Sequence, residues 1–373
     1  MRGCVTKKNG RWYIVYYIGK TESGKWKQKW EGGFDTKKEA ERLLRQRIEE
    51  LENSFVNSAE SSTMAIYLRH WLNSYCASHL AENTQSGYRT NIEKHIIPLV
   101  GSIKLNRLCP MDIQKLYDVL TEKGLSNTSV RYVHNTLHKA LGKAVKLQLI
   151  SRNPADLVDA PRVSHYEAET LTPEQARKLV SACEGSDIYI PVLLALVLGL
   201  RRGEALGLQW QDIDFRYRTL SICRSAGWLH GEFVLSETKT RNSRRTLKLS
   251  DTMIEALKNQ RDILDSWEKE FGEGFNPLNL VNCRRDGMPL TTNALQRMFK
   301  NMLHEKGLPN IRFHDLRHTN ATFMLRSEVP AKIVSSMLGH STIGITLDTY
   351  SHVMTDMQSG AVGVIEGLLK GEH

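Results

Sequence analysis

Four short stretches in the carboxyl-terminal half of the chain hold the side chains that could do chemistry. In Leu198-Gly199-Leu200-Arg201-Arg202-Gly203-Glu204, directly after the apolar run Ile190 to Leu198, Arg201 and Glu204 stand three apart. On a helix they share a face, and the carboxylate can fix the guanidinium against a phosphate. The same spacing is also that of an ordinary ion pair at a helix start. Glu237-Thr238-Lys239-Thr240 precedes Arg244-Arg245-Thr246-Leu247-Lys248-Leu249, where the leucines alternate with polar residues. This reads as a hairpin with Lys239 near its tip. An amine there can protonate a leaving oxygen or contact a phosphate, or it is simply part of an exposed basic turn. In Phe313-His314-Asp315-Leu316-Arg317-His318-Thr319, a helix puts His314 and Arg317 on one face. A histidine beside a fixed arginine suits phosphate chemistry, one moving a proton and the other neutralising non-bridging oxygen charge; a satisfied histidine at a helix start has the same spelling. Finally, His340 in Leu338-Gly339-His340 precedes Tyr350 by ten residues. A phenol oxygen can act as a covalent nucleophile where cations stabilise the phenolate and a pentavalent phosphorus, although a lone tyrosine is as readily a packing residue.

Other chemistries fit less well. His314 and His318 have the spacing of a metal pair, but no Glu lies between them as H-E-x-x-H requires, and no third ligand is near in sequence. The six cysteines lie at least 33 residues apart with no C-x-x-C pair, which argues against a zinc knuckle or a disulfide-stapled fold and for a reduced, cytoplasmic protein. No G-x-x-x-x-G-K-[ST] loop is present. Ile190 to Leu200, the longest apolar stretch, is too short to span a bilayer and contains Pro191, and the start MRGCVTKKNGRW lacks the apolar core of a signal peptide. No membrane association is expected.

The 373 residues carry 51 Lys and Arg against 41 Asp and Glu, a formal charge of +10. The surplus recurs along the chain: eight basic residues to one acid in residues 1–30, twelve to seven in residues 61–160, and the acid-free block Lys239 to Lys248. Such a distribution suits a long polyanion better than one acidic pocket.

The elements that must carry these residues fall into three parts. Arg11 to Ile18 and Lys25 to Trp30 read as strands around a turn at Glu22-Ser23-Gly24, followed by a helix opened by a Thr36/Glu39 capping box. Alternation puts Lys25, Lys27 and Lys29 on one face of the second strand and Trp26, Gln28 and Trp30 on the other, the latter free to pack on the helix. The lysine face suits a sheet laid in a DNA groove, or a solvated edge that resists aggregation. After the polar linker Asn53 to Thr63, residues 62–156 read as about four helices, with Arg131, Lys139 and Lys143 off the apolar face of the last. A second linker runs from Asp159 to Thr170, and Thr172-Pro173 opens the third part.

Taken together, Arg201, Lys239, His314-x-x-Arg317, His340 and Tyr350, in the motifs GLRRGE, TKT, HDLRHT and LGH, resemble the active-site signature of the tyrosine recombinases, the phage-integrase family. Upstream, residues 62–156, ending in QLISRNPA, resemble that family's helical core-site-binding domain, and residues 1–52 its three-stranded arm-site-binding domain. The resemblance implies a multidomain α+β chain. It comprises an arm-site DNA-binding domain at 1–57 with a small three-stranded sheet plus helix, a helical SAM-like bundle at 62–156, and a mainly helical catalytic domain at 168–373 with a small antiparallel sheet.

The same resemblance implies a site-specific integrase of a phage or conjugative transposon. Tyr350 would attack a phosphate of duplex DNA to give a 3′-phosphotyrosine, with Arg201, Arg317 and His340 on the non-bridging oxygens. Lys239 would be the acid for the 5′-oxygen, His314 would assist proton transfer from Tyr350, and Glu204 would orient Arg201. Expected DNA contacts are Lys25, Lys27, Lys29, Arg131, Lys139, Lys143, Arg241 and Arg244. No metal or other cofactor is expected. The implied partners are core-site and arm-site double-stranded DNA, three further copies in a tetramer, and accessory DNA-bending or excision factors. Ala361, Val364, Ile365 and Leu368 form an amphipathic tail that would dock on a neighbouring protomer or on its own domain. A chromosome-dimer resolvase, a type IB topoisomerase and a non-catalytic DNA-binding regulator are the competing readings.

Overall fold

The computed structural model describes residues 3–20, 26–57, 62–163, 169–229, 231–237 and 244–350, with backbone alone at 17–20, 26–27, 48–57 and 348. Two compact units, residues 1–165 and 166–373, are built on separate cores.

The first unit opens with strands β1 (Gly3–Lys8), β2 (Arg11–Lys20) and β3 (Trp26–Phe34) in an antiparallel sheet of order β1-β2-β3, followed by helix α1 (Lys37–Asn57). Ile14, Tyr16 and Ala40 form its small core, flanked by Trp12, Leu43 and Leu44. The facing expected for β3 is corrected here. Tyr16 pairs directly with Lys29 and Ile14 with Glu31, and residues opposite each other across an antiparallel pair share a face. Lys29 and Glu31 therefore lie on the helix side. Glu31 accepts from the Tyr16 hydroxyl at 2.5 Å and from Arg47 of α1 at 2.9 Å. Trp30, opposite Val15, is 52% exposed on the open face.

Beyond this sheet, α2 (Met64–Trp71) runs through a π turn into α3 (Ala77–His79), and α4 (Glu82–Thr90) through another into α5 (Ile97–Val100); α6 (Pro110–Glu122) and α7 (Asn127–Lys146) complete the bundle. Thr63 and Ser126 cap α2 and α7 as acceptors of backbone N–H groups. The apolar stripe of α7 (Val130, Val133, Leu137, Leu141) packs against Tyr67, Leu68, Trp71 and Ile113, which leaves its basic residues at the surface.

The second unit holds α8 (Pro173–Cys183), α9 (Tyr189–Val197), α10 (Arg202–Leu206), β4 (Ile213–Asp214), β5 (Thr219–Ile222), β6 (Arg224–Leu229), β7 (Glu232–Glu237), β8 (Arg245–Lys248), α11 (Asp251–Phe271), α12 (Thr292–Glu305), α13 (Asp315–Arg326), α14 (Ala331–Leu338) and α15 (Ile343–Thr349). The hairpin expected around Lys239 is not formed. β7 pairs with β6, whereas β8 pairs with β5 in the sheet β4-β5-β8. The strands on either side of Lys239 thus belong to different sheets, because Leu247 pairs with Leu220 in a core with Leu200 and Leu257. Helix α9 is apolar all round and buried on nearly every side, as a central helix must be. Among the described residues no helix is long and apolar enough to cross a membrane.

Candidate active site

The end of α9 sets the site. Its last carbonyls, on Leu196 and Val197, accept from the side-chain amide of Asn320 in α13 at 2.9 and 3.0 Å, which satisfies two of the acceptors a helix end leaves open. Gly199 then turns at φ +66°, and a Cβ there would stand 2.4 Å from Leu338 and 2.8 Å from the Asn320 side-chain oxygen. Its carbonyl accepts from Arg317 Nη1 at 2.6 Å. The turn delivers Arg201 to the N-cap of α10. Glu204 completes a capping box there, accepting from the Arg201 backbone N–H at 3.0 Å and from its guanidinium at 2.8 Å. The other arm of Arg201 donates to the Gly339 carbonyl at 3.0 Å.

Arg245, which the sequence reading passed over in favour of its neighbour Arg244, closes the same network. It donates to both Glu204 oxygens at 2.8 and 3.2 Å and to the Met337 carbonyl at 2.6 Å. Alternation along β8 would have found it, since Arg245 shares the inward face of buried Leu247. Burial works against the Glu204 charge, but the hydrogen bonds and charge of Arg245 and Arg201 hold its carboxyl below the usual carboxylate range.

On α13, Asp315 caps the preceding turn by accepting from the Arg312 backbone N–H and pairing with its guanidinium. Two residues on, Arg317 is buried, and its Nη2 has no hydrogen-bond partner in the protein. Burial and the nearby charge of Arg201 pull Arg317 below the usual guanidinium range, yet it stays cationic at neutral pH. A buried donor left unmet beside a second cation calls for an anion.

Helix α14 ends in a left-handed Gly339 at φ +67°, which turns His340 toward Arg201. His340 Nδ1 is fixed at 2.8 Å from the Thr346 hydroxyl. Burial, reinforced by Arg317 and Arg201, pushes its imidazole down to about 4. At the N-cap of α13, desolvation of the His314 ring, with the neighbouring His318 and Arg317 assisting, pushes its imidazole down to about 4.

Tyr350 follows α15 and packs among Ala321, Leu325, Val334 and Leu338, 3% exposed. Its hydroxyl lies 2.7 Å from Nδ1 of His318. Burial, opposed by Arg317, raises the phenol to about 12, so it is protonated at rest. Arg201, His314, Arg317, His318, His340 and Tyr350 all line one open cavity of about 380 Å³. The sequence treated His318 only as half of a rejected metal pair; its position one turn beyond His314 was the available signal. Among the described residues no three His, Cys, Asp or Glu side chains form a group that could hold a metal ion.

Lys239, Arg241 and Lys25, and the carboxyl-terminal tail, lie outside the described residues, as does the side chain of Lys27. Lys29 pairs with Glu31 at 3.0 Å. Exposed Arg131 donates to the Pro161 carbonyl, while Lys139 and Lys143 lie over the Tyr88 and Tyr75 rings at 5.5 and 5.1 Å. Arg244 pairs with Glu237 at the surface. Of the described ones, Lys29, Arg131, Lys139, Lys143 and Arg244 do not line the cavity.

Three comparisons agree with this geometry. Residues 169–357 match the phage integrase family, residues 5–51 an arm DNA-binding domain, and residues 63–120 the SAM-like amino-terminal domain of phage integrases. The chain belongs to the phage integrase family, the tyrosine-type site-specific DNA recombinases. Among similar proteins, a XerC-like tyrosine recombinase of Caldanaerobacter subterraneus is 29% identical, with 97% of each chain covered. The ICEBs1 integrase of Bacillus subtilis is 25% identical over 90% of this chain and 91% of its own. The fold is that of the Tn1549 transposon integrase solved with transposon right end DNA (TM-score 0.68, 21% identity, 80% of this chain and 99% of that one). It is also that of a lambda integrase tetramer on a Holliday junction (TM-score 0.58, 21% identity, 91% and 95%).

Proposed function

We propose that this recombinase is the integrase of a mobile element, integrating and excising it by cutting and rejoining double-stranded DNA through a 3′-phosphotyrosine on Tyr350. One observation carries the assignment of roles: a nucleophile-bearing residue, two arginines and three histidines from three of the four stretches line a single cavity, and Arg317 offers it an unmet donor. Arg201 and Arg317 hold the non-bridging oxygens of the scissile phosphate, and His340 donates to one of them. Lys239 protonates the 5′-oxygen, His314 supports the proton movements at the cavity mouth, and Glu204 orients Arg201. Cleavage conserves the bond energy in the protein–DNA ester, so rejoining needs no separate energy source.

The division of labour that fits this reading is an arm-site domain at 1–57, a core-site domain at 62–156 and a catalytic domain at 168–373. Four copies would act on paired DNA sites in the bacterial cytoplasm, associated with the nucleoid, with accessory bending or excision proteins. Lys25, Lys27, Arg131, Lys139, Lys143 and Arg241 are the proposed DNA contacts; Lys29 and Arg244 would join them only by giving up their ion pairs with Glu31 and Glu237. The sheet and helix at 1–57, additional to the core-site and catalytic parts, favour an element integrase over a chromosome-dimer resolvase.

A nicked suicide duplex tests the reading. The wild-type chain should form a covalent adduct on particular sequences, unaffected by EDTA and absent in Tyr350→Phe. Relaxation of supercoils without regard to sequence would favour a topoisomerase instead, and binding without any adduct a regulator.

A further inference from the structure

We propose that His318 is the base that takes the proton of the Tyr350 phenol. The proposal rests on the recombinase reading above and adds to it a group that the signature residues do not include. The geometry is specific. His318 Nδ1 lies 2.7 Å from the phenol oxygen, within the reach a general base needs. The Tyr350 ring is clamped by Ala321, Leu325, Val334 and Leu338, so its hydroxyl has a fixed direction. His318 itself follows Arg317 on α13 and so moves with the guanidinium that the Gly199 carbonyl anchors. His314 stands edge-on to His318 with ring centroids 5.3 Å apart, and the hydrogen bond to the phenol is made by His318.

The electrostatics agree. Desolvation lowers the His318 pKa against the opposing charge of Asp315, with Arg317 and Arg312 assisting; Arg201 and His340 face it across the cavity. At neutral pH the ring is therefore uncharged, and with its proton on Nε2 it accepts at Nδ1. The phenol is held protonated by burial, and it needs a proton acceptor before it can attack. In the forward step the O–H proton passes to Nδ1, the phenolate oxygen bonds to phosphorus, and the bond from phosphorus to the 5′-oxygen breaks. That oxygen takes its own proton from a separate acid. On rejoining, the 5′-hydroxyl gives its proton back to the conjugate base of that acid as its oxygen bonds to phosphorus, the bond from phosphorus to the phenol oxygen breaks, and the His318 imidazolium returns its proton to the phenolate.

The test uses the full chain in single turnover on a nicked duplex selected, by covalent capture with the wild-type protein, from a randomised pool. Two scissile linkages are compared, one with the natural 5′-oxygen and one with bridging sulfur, which leaves without an acid. His318→Asn keeps an acceptor near Nδ1 but no base, and His318→Phe keeps neither. Both should slow adduct formation by about 100-fold or more, equally on the two linkages, with Asn the faster of the two. Half-site retention should stay at the wild-type level. A rate within about 3-fold of wild type in either variant overturns the proposal, and so does recovery on the sulfur linkage, which would move His318 to the leaving-group side. If His318→Phe does not fold, His318→Asn decides. Failure of the wild-type chain to capture any DNA would overturn the recombinase reading itself, a result distinct from either.

Discussion

Glu204 holds two guanidinium groups at once, and its value lies in what would remain if it were gone. Arg245 is 7% exposed and pairs with a carboxylate that is 3% exposed, so removing either partner strands a buried charge. Glu204→Gln or Arg245→Leu should therefore cost about 3–5 kcal/mol, read as a lower unfolding midpoint. Cleavage should fall further than half-site binding does, because Arg201 loses its orienting partner. Titration gives a second prediction at this scale. His318 and His340 are held neutral by burial, so their folded pKa values lie below the unfolded value near 6.5. The unfolded chain then binds more protons in acid. The stability contributed by these side chains is complete above pH 6.5 and is lost as the pH falls toward 4, where His340 titrates in the folded state. Unfolding midpoints measured between pH 7 and pH 4.5 should drop less steeply in His340→Asn than in wild type, by about 2 kcal/mol at the acid end after allowance for its partial exposure. The signature residues were legible because their chemistry shows in their type and spacing. Arg245 and His318 were not singled out because each acts through a partner, Glu204 at 41 residues' remove and Tyr350 at 32, and one sequence gives no direct sign of such pairings.

Elements bring those partners together through their ends rather than their faces. The Asn320 amide on the last carbonyls of α9, the Gly199 turn and the left-handed Gly339 are the joints that aim Arg201, Arg317 and His340 into one cavity. Gly199→Ala should be costly twice over, through left-handed strain and through a Cβ pressed against Leu338 and Asn320. A loss of about 2 kcal/mol or more is expected, with a midpoint lower by roughly 4–8 °C for a unit of this size and a matching loss of cleavage. Gly274→Ala, at φ +94° in open space, provides the control, costing about 1 kcal/mol without touching activity. Helices were readable from periodicity and capping: the four expected in the bundle correspond to the runs 64–79, 82–100, 110–122 and 127–146. Strand partnership was not, for two reasons visible here. Alternation in β3 correctly separated Lys29 from Trp30 but could not say which face met α1; pairing of Lys29 with Tyr16 decides that. Leu247 and Leu249 correctly marked a strand, but its partner, β5, lies upstream of a whole hairpin.

At the scale of the whole molecule the question is which of the 51 basic residues meet phosphate. Net charge attracts DNA at long range, whereas each phosphate actually neutralised releases counterions and adds about 0.9 to the slope of log affinity against log salt. The structure separates candidates by what already occupies them. Arg244 and Arg285 have carboxylate partners at 2.5 and 3.0 Å. Lys139 and Lys143 instead rest on tyrosine rings, a contact that orients the ammonium without neutralising it, and Arg131 donates to the Pro161 carbonyl, which leaves its charge in place. These three lie on one helix, α7, off the apolar stripe that is buried, so all three are on the bundle's surface side of that helix. Replacing Arg131, Lys139 and Lys143 together by alanine should lower the salt slope of half-site binding by about 2–3, to a similar extent on cognate and unrelated duplexes. The single-turnover cleavage rate at saturating protein should be unchanged, since none of the three lines the cavity. Arg285→Ala should leave the slope as it is. Titrations of fluorescent duplex between about 50 and 200 mM salt read all of these, and an unchanged slope in the triple variant would remove α7 from the DNA-facing surface.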